Sequence, residues 1–246
     1  MRQDPLHVLQ VASRPMPSVD KPRLLIAGAT GVLGTEVLRR LVGSGDFSLT
    51  QVLAREPITP GLRGVRTTLV ASDAPQEWPL APADVAVVLF DPPRMFYERE
   101  RALWTPQPVQ LLPLARWLRA GGVRTLAIVL PHAPGQLPEA LKRGLATLDE
   151  QAIAALGFER LLLLRSAQKP PPPRHAHVLA RLAHWMLGIF KYMVPSSEQP
   201  VRAAKVAELL AESLRIAPPG IHVAAPDLVW QAAQQDVRTV ASRWLA

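Results

Sequence analysis

The sequence predicts an α/β protein: a doubly wound parallel sheet with helices on both faces, followed by a small helix-rich C-terminal lobe. Short apolar runs alternate with longer segments in which apolar residues recur at helical spacing. The apolar runs lack the polar–apolar alternation of a half-exposed sheet, so both faces of the sheet are expected to be buried. The first run ends in a glycine-rich turn that leads directly into the first helical segment.

Six strands and three helices are predicted along the first two thirds of the chain. The strands are expected at 23–28, 49–54, 65–70, 85–90, 123–130 and 158–164. The helices are expected at 32–42, 109–118 and 139–156, the last two ending at glycines 121–122 and 157. Because strands and helices alternate, neighbouring strands are expected to run parallel.

Proline divides the chain into three parts. The 26 prolines among 246 residues are about twice the usual ~5%. Residues 1–21 are rich in proline and predicted to be a disordered tail, and residues 22–167 form the predicted dinucleotide-binding core. The four consecutive prolines at 170–173 cannot be helical and must be extended. Residues 168–246 are therefore predicted as the C-terminal lobe of the same domain, on the side of the substrate or partner.

The composition excludes several classes of protein and site. The chain is long enough for a substantial core, and it contains no cysteine. Disulfides, thiolate metal sites and cysteine nucleophiles are therefore excluded.

His175 and His177 have no third ligand nearby in sequence, so no metal site is predicted. No apolar run approaches the ~20 residues of a membrane span, and the first 21 residues lack a secretory signal. A cytoplasmic protein is expected.

The net charge is +8, which favours anionic partners. Seven lysines and arginines but one acidic residue lie between 165 and 205. Within this stretch, residues 178–194 carry an apolar stripe at helical spacing, interpreted as a packing face. Peripheral contact with a membrane surface is the less favoured alternative. No motif accompanies the charge, so specific nucleic-acid recognition is not predicted. A small molecule or a protein remains the expected further partner.

The turn Gly28-Ala29-Thr30-Gly31-Val32-Leu33-Gly34 lies between the first strand and the first helix. Its spacing suits a dinucleotide: the first glycine allows a tight turn, the second a close approach to the pyrophosphate, and the third close packing of helix on strand. The helix N-terminus then faces the negative charge. The predicted cofactor-binding residues of this turn are Gly28, Thr30, Gly31, Val32, Leu33 and Gly34.

The end of the second strand indicates which dinucleotide binds. An NAD site expects an acidic residue there, whereas this chain has Arg55, with Arg63 farther along the loop. Arginine suits a 2′-phosphate, so NADP is predicted in preference to NAD. Asp73 is placed either to accept a hydrogen bond from the adenine amine or to cap the following turn. Phe90, at the end of the fourth strand, is also predicted to contact the cofactor.

With these features the chain resembles the atypical short-chain dehydrogenase/reductase family, particularly the subgroup related to the Tat-interacting-protein oxidoreductases. The likeness extends over about 22–225 and includes Leu141-Lys142-Arg143-Gly144, Asp149-Glu150 and the segment 200–207. The resemblance implies a Rossmann-type domain, a smaller C-terminal substrate part and hydride transfer with nicotinamide. It further implies a tyrosine acid/base, a lysine four residues later, and a serine after the fifth strand.

The chain departs from this catalytic set. Lys142 matches the lysine, but Pro138 stands four residues before it, and neither Tyr97 nor Tyr192 has a lysine four residues later. The serine position falls within Pro131-His132-Ala133-Pro134. His132 either replaces the missing acid or is a loop histidine without a chemical role. Lys142 either contacts the cofactor ribose or is a solvated helix lysine.

The loop after the fourth strand also departs from the family pattern. It reads Asp91-Pro92-Pro93-Arg94 where the family has a glycine-rich segment that passes close to the cofactor. Two prolines remove two backbone donors from it. The sequence therefore predicts an NADP(H)-binding protein without standard dehydrogenase chemistry, acting as a sensor, scaffold or regulator. The alternative is an NADPH-dependent reductase or isomerase with a relocated acid such as His132.

Overall fold

A seven-stranded parallel sheet lies at the centre of the part of the chain that the computed structural model describes, namely residues 21–58, 64–94, 97–130, 145, 147–165 and 202–246. Its strands are β1 Arg23–Ala27, β2 Leu49–Ala54, β3 Val65–Leu69, β4 Val85–Leu89, β5 Thr125–Leu130, β6 Arg160–Arg165 and β7 Gly220–Ala224. Their order is β3-β2-β1-β4-β5-β6-β7. The chain thus winds outward from β1 in both directions, the order of a Rossmann-type sheet.

Helices cover both faces of the sheet. They are α1 Gly31–Ser44, α2 Glu98–Arg101, α3 Leu111–Ala120, α4 Leu148–Ala154, α5 Ala203–Ile216, α6 Pro226–Gln234 and α7 Val237–Leu245. Single 3₁₀ turns lie at Pro75–Glu77 and Pro108–Gln110. One buried cluster joins α1, α5, α6 and α7 to one sheet face, and a second joins α3 and α4 to the other. The predicted doubly wound fold is confirmed.

The predicted strands agree with the structure to within two residues at each end. For the inner strands this agreement follows from burial, since an apolar run that is buried on both faces has the same signature throughout; β3, an edge strand, is only partly buried. Leu24, Leu25, Ile26 and Ala27 in β1, for instance, have no exposed surface.

The seventh strand was not predicted. Residues 220–224 read Gly-Ile-His-Val-Ala, and Ile221 is 50% exposed. As the edge strand, β7 lies beside β6 alone and needs no continuous apolar run. Its pairing with β6 runs from Arg160↔Gly220 to Leu164↔Ala224. The described part of the C-terminal third, residues 202–246, therefore adds a strand to the sheet besides three helices.

Within the range 139–156, predicted as one helix, the structure describes the helix α4, Leu148–Ala154. Thr147 is extended, and its hydroxyl oxygen accepts a hydrogen bond from the Glu150 amide, so α4 begins at Leu148. A threonine in this position stops helix propagation toward the N-terminus because it caps the first turn. Residues 131–144 and 146 lie outside the described part of the chain.

Other predictions also lie outside the described residues. They concern the tail at 1–20, Arg63, the loop containing His132, Lys142, the proline run at 170–173 and the stripe at 178–194. The division into core and C-terminal lobe stays a prediction. Among the helices that the structure describes, none is long and apolar enough to cross a membrane.

Candidate functional site

The candidate site lies at the carboxyl edge of the sheet, where the connections that follow the neighbouring strands β1 and β4 diverge. The connection after β1 turns toward one side of the sheet and the connection after β4 toward the other, because strand order reverses between these two strands. Open α/β sheets bind ligands in the crevice at this point. Helix α1 begins here, directly after the glycine turn.

Two glycines of the turn have backbone conformations that other residues rarely adopt: φ is +83° at Gly28 and +67° at Gly31. A Cβ atom on Gly28 would lie 2.0 Å from the Leu89 carbonyl oxygen. A Cβ atom on Gly34 would lie 2.6 Å from the Gly28 carbonyl oxygen. The first and third glycines thus provide the tight turn and the close helix packing that the spacing predicted.

The space beside Gly31 is filled by the protein itself. A Cβ atom on Gly31 would lie 2.8 Å from the Asp91 Cβ and 2.9 Å from the Pro92 carbonyl oxygen. The Thr30 hydroxyl donates to the Asp91 carbonyl oxygen. It also lies 2.9 Å from the hydroxyl of Thr105. The loop after β4 therefore packs directly on the turn that was predicted to approach a pyrophosphate.

Two carboxylates from distant parts of the sequence accept hydrogen bonds from the first turn of α1. The Gly31 amide donates to Glu100 Oε2 at 3.0 Å, and the Leu33 amide donates to Asp91 Oδ2 at 2.9 Å. The first turn of α1 contains no acidic residue of its own. Helix N-termini attract anions because their amides lack intrahelical acceptors and the helix dipole is positive there. In this structure the anions are side chains of the same chain.

Glu100 is only 7% exposed and is paired with Arg94. Its Oε1 accepts from Arg94 Nε at 2.8 Å and from a terminal guanidinium nitrogen, and its Oε2 accepts from the Arg94 amide at 3.0 Å. The guanidinium also lies 3.8 Å above the ring of Tyr97. Burial raises the pKa of Glu100, but the hydrogen bonds from Arg94 and Gly31 outweigh it and the pKa is lowered overall. Glu100 is thus held as a carboxylate.

Residues 97–106, called the cover segment below, cross the carboxyl ends of β1 and β2. The Trp104 amide donates to the Leu53 carbonyl at 3.0 Å, and the Gly28 amide donates to the Trp104 carbonyl at 3.2 Å. The Arg55 amide donates to the Ala102 carbonyl at 2.7 Å. The cover segment therefore satisfies backbone groups at the end of both strands, much as an added short strand would.

Trp104 anchors the cover segment in the second core cluster. Its side chain has no exposed surface and contacts the ring of Trp78 edge-on, with 4.8 Å between ring centroids. Its indole nitrogen donates to Asp73 Oδ1 at 3.0 Å. The same Asp73 oxygen accepts from Arg55 at 2.7 Å, in a pair whose side chains are 51% and 57% exposed. Asp73 thus connects Arg55, which is predicted to bind a 2′-phosphate, to Trp104 of the cover segment.

The structure brings most of the predicted cofactor residues to one place. Val32 is 57% exposed at the start of α1. Phe90 is partly buried and packs against the second core cluster. The residues brought together at the crevice are Gly28, Thr30, Gly31, Val32, Leu33 and Gly34, with Arg55 and Asp73 paired at the ends of β2 and β3.

The contacts of Asp91 and Glu100 with the start of α1 were not predicted from the sequence. Asp91 follows β4 by two residues, and polar residues at the carboxyl end of a central strand could have been taken as site residues. Glu100 lies in the run Glu-Arg-Glu-Arg, which reads as a solvated charged segment. Its burial depends on contacts with residues far away in sequence.

The backbone of the crevice is suited to a dinucleotide, but the side chains that contact the start of α1 are not. The conformations of the glycines and the exposed start of α1 suit a diphosphate. The amides of Gly31 and Leu33, however, already donate to Glu100 and Asp91. A diphosphate placed there would meet two carboxylates at close range. These carboxylates must move before a diphosphate can bind.

Several solved structures are similar to this chain. They include a Rossmann-fold NAD(P)-binding family protein from Shigella flexneri, with 16% identity, coverage of 73% of this chain and 91% of that one, and a TM-score of 0.38. A UDP-galactose 4-epimerase shares 15% identity over 89% of this chain and 97% of its own, with a TM-score of 0.41. A UDP-N-acetylglucosamine 4-epimerase from Methanobrevibacter ruminantium shares 11% identity over 89% and 84%, with a TM-score of 0.47.

Sequence comparisons add nothing to this similarity. No family model matches the chain, and no curated protein matches it significantly. Identities and TM-scores this low say nothing of activity. The strand order establishes that the chain has a doubly wound, Rossmann-type α/β fold.

Proposed function

We propose that this protein binds NADP(H) and acts as a nucleotide-dependent sensor, scaffold or regulator, without the standard tyrosine–lysine chemistry of dehydrogenases. The observation that carries the proposal is the start of α1, where the amides of Gly31 and Leu33 bind anions. The turn has the glycine conformations of a dinucleotide site and lies at the switch point of the sheet. A cytoplasmic location belongs to the same proposal.

The preference for NADP over NAD rests on Arg55. It lies just after β2, and its guanidinium is half exposed. Its ion pair with Asp73 is a surface pair, which stabilises a protein by only about 0–1 kcal/mol. Arg55 can therefore leave Asp73 and pair with a 2′-phosphate at little cost.

The proposed absence of standard chemistry rests on the residues that the chain lacks. A phenol with a pKa near 10 needs an adjacent cation to transfer a proton near neutral pH. The chain has two tyrosines, and neither has a lysine four residues later. Proline, which cannot transfer a proton, stands four residues before Lys142. Tyr97, the first residue of the cover segment, lies beneath the guanidinium of Arg94.

Calorimetric titrations and thermal melting with NADPH, NADP⁺, NADH and NAD⁺ test whether the protein binds a dinucleotide. Turnover assays on a panel of carbonyl substrates test whether it has dehydrogenase activity. We expect NADPH and NADP⁺ to bind and no substrate to be reduced. Failure of all four dinucleotides to bind would contradict the proposal. Turnover that is lost in His132→Ala while NADPH still binds would instead identify an NADPH-dependent reductase.

A further inference from the structure

We propose that the cover segment, together with Asp91 before it, autoinhibits the dinucleotide site: Glu100 and Asp91 occupy the place of the diphosphate, and NADPH binds only when the segment and the Asp91 carboxylate move away. This inference rests on the proposed function and adds its regulation. The structure supports it through three sets of contacts, at the helix start, at the strand ends and around Trp104.

The first set concerns the diphosphate subsite. Both anions at the start of α1 come from the connection that follows β4. They lie on the Gly31 and Leu33 amides, the donors that a diphosphate would need. Arg94 holds Glu100 through its guanidinium and its backbone amide, so the carboxylate remains in position. Two anions cannot share these amides, and the carboxylate and the diphosphate therefore compete.

The second set concerns the crevice beyond the diphosphate. Leu103 forms an antiparallel bridge with Ala54 at the end of β2. Trp104 exchanges backbone hydrogen bonds with the ends of β1 and β2. A dinucleotide binds across the carboxyl ends of these strands. The cover segment lies on the same edge and blocks it.

The third set explains how the closed arrangement is held. Trp104 is fully buried, and Asp73 accepts a hydrogen bond from its indole. Asp73 is also the ion-pair partner of Arg55. A 2′-phosphate that draws Arg55 away would thus remove one contact of the residue that holds Trp104. The cofactor and the cover segment are coupled through Asp73 as well as through the amides of α1.

Exposure of the cover segment on dinucleotide binding is the structural change by which the protein would act as a sensor. If the open state is a minor state, the apparent dissociation constant equals the intrinsic one divided by the fraction of open protein. By the same linkage, dinucleotide binding shifts the population to the open state and exposes the cover segment. The released segment would report dinucleotide to a partner without any redox step.

Calorimetric titration with NADPH of the wild type, Glu100→Gln and Glu98→Gln tests the inference. Glutamine keeps the shape of Glu100 but removes the charge that competes with the diphosphate and pairs with Arg94. We expect affinity to rise roughly 10- to 100-fold, as for the loss of a charged hydrogen-bond partner. Glu98 is the matched control, because it lies in the same short helix and its side chain is 91% exposed. Its substitution should leave affinity unchanged.

Hydrogen–deuterium exchange of the wild type gives a second test that needs no variant. Displacement of the cover segment breaks the hydrogen bond that the Trp104 amide donates to the Leu53 carbonyl. It also breaks those that the Arg55 and Gly28 amides donate to carbonyls of the segment. Peptides covering 97–106 should therefore exchange faster when NADPH is bound, whereas a simple binding site becomes protected. Slower or unchanged exchange at saturating NADPH would overturn the inference.

The outcomes separate the two proposals. If the wild type binds NADPH and Glu100→Gln binds equally or more weakly, the autoinhibition is wrong and the proposed function stands. If neither the wild type, Glu100→Gln nor the double variant with Asp91→Asn binds any of the four dinucleotides, the proposed function fails and the autoinhibition falls with it.

Discussion

Replacing Arg55 with alanine should change cofactor preference far more than stability. The guanidinium pairs with Asp73 at 2.7 Å on the surface, and both side chains are more than half exposed. A hydrogen bond between charged groups contributes about 1.5–3 kcal/mol, and the surface pair that must break is worth about 0–1 kcal/mol. The difference leaves about 2 kcal/mol for binding a 2′-phosphate, or roughly 30-fold in affinity.

The comparison of two cofactors makes this magnitude measurable. NADPH and NADH differ in the 2′-phosphate alone, whereas both must displace the cover segment. The free energy of that displacement therefore cancels in the ratio of their dissociation constants, apart from the part that depends on the Arg55–Asp73 pair. Calorimetric titrations of wild type and Arg55→Ala should show an NADPH/NADH preference that falls roughly 30-fold, mainly through weaker NADPH binding.

Arg39→Ala serves as the matched control for Arg55→Ala. Arg39 is a surface arginine, 69% exposed, that pairs with Glu36 at 3.1 Å. Both variants should lose at most about 1 kcal/mol of unfolding free energy, and Arg39→Ala should keep the wild-type preference. Equal losses of NADPH and NADH affinity in Arg55→Ala would refute the assignment of Arg55 to the 2′-phosphate.

Two further predictions concern the fold. Gly28→Ala should cost about 2–5 kcal/mol in urea unfolding, from its left-handed conformation and the clash with the Leu89 carbonyl. Gly45→Ala, with φ +69° but no atom within 4 Å, should cost only about 1–2 kcal/mol; equal losses would mean that the clash is relieved. The pKa of Asp84 is lowered, mainly because the Arg23 amide donates a hydrogen bond to Asp84 Oδ2 at 2.8 Å. Burial of Asp84 raises its pKa, whereas the Arg23 side chain lowers it further. The resulting stabilisation is complete above the ordinary pKa of 3.8 and is lost as pH falls through the lowered value. Unfolding of wild type and Asp84→Asn should therefore differ most at neutral pH and converge in acid; a difference independent of pH would contradict the ion pair.

Most of the sheet could be predicted because its signal is local. Strands such as β1 and β4 are buried on both faces, and their apolar runs show this without reference to the rest of the chain. The edge strand β7 was missed because its half-exposed residues Gly-Ile-His-Val-Ala form no apolar run, whereas β3, the other edge strand, was predicted and is rich in the β-branched residues typical of strands. The predicted helix at 139–156 does not run through Thr147, because a single threonine caps α4 there.

The glycine turn was predictable for a similar reason. The conformations of Gly28 and Gly31 and the close packing at Gly34 follow from short-range geometry, which leaves its mark in residue type and spacing. The position of Arg55 after the second strand could be read in the same way. The sequence by itself thus determined six strands of the sheet and the cradle at the start of α1.

Only the tertiary structure decided what lies in that cradle. Glu100 is 69 residues from Gly31 in sequence, and Asp91 is 58 residues from Leu33. No local pattern distinguishes a buried glutamate from a solvated one in the run Glu-Arg-Glu-Arg, because burial of a charge depends on partners that only the fold brings near. Electrostatic contacts at a helix start are made through space, so the competition between these carboxylates and a ligand becomes visible only once the chain is folded.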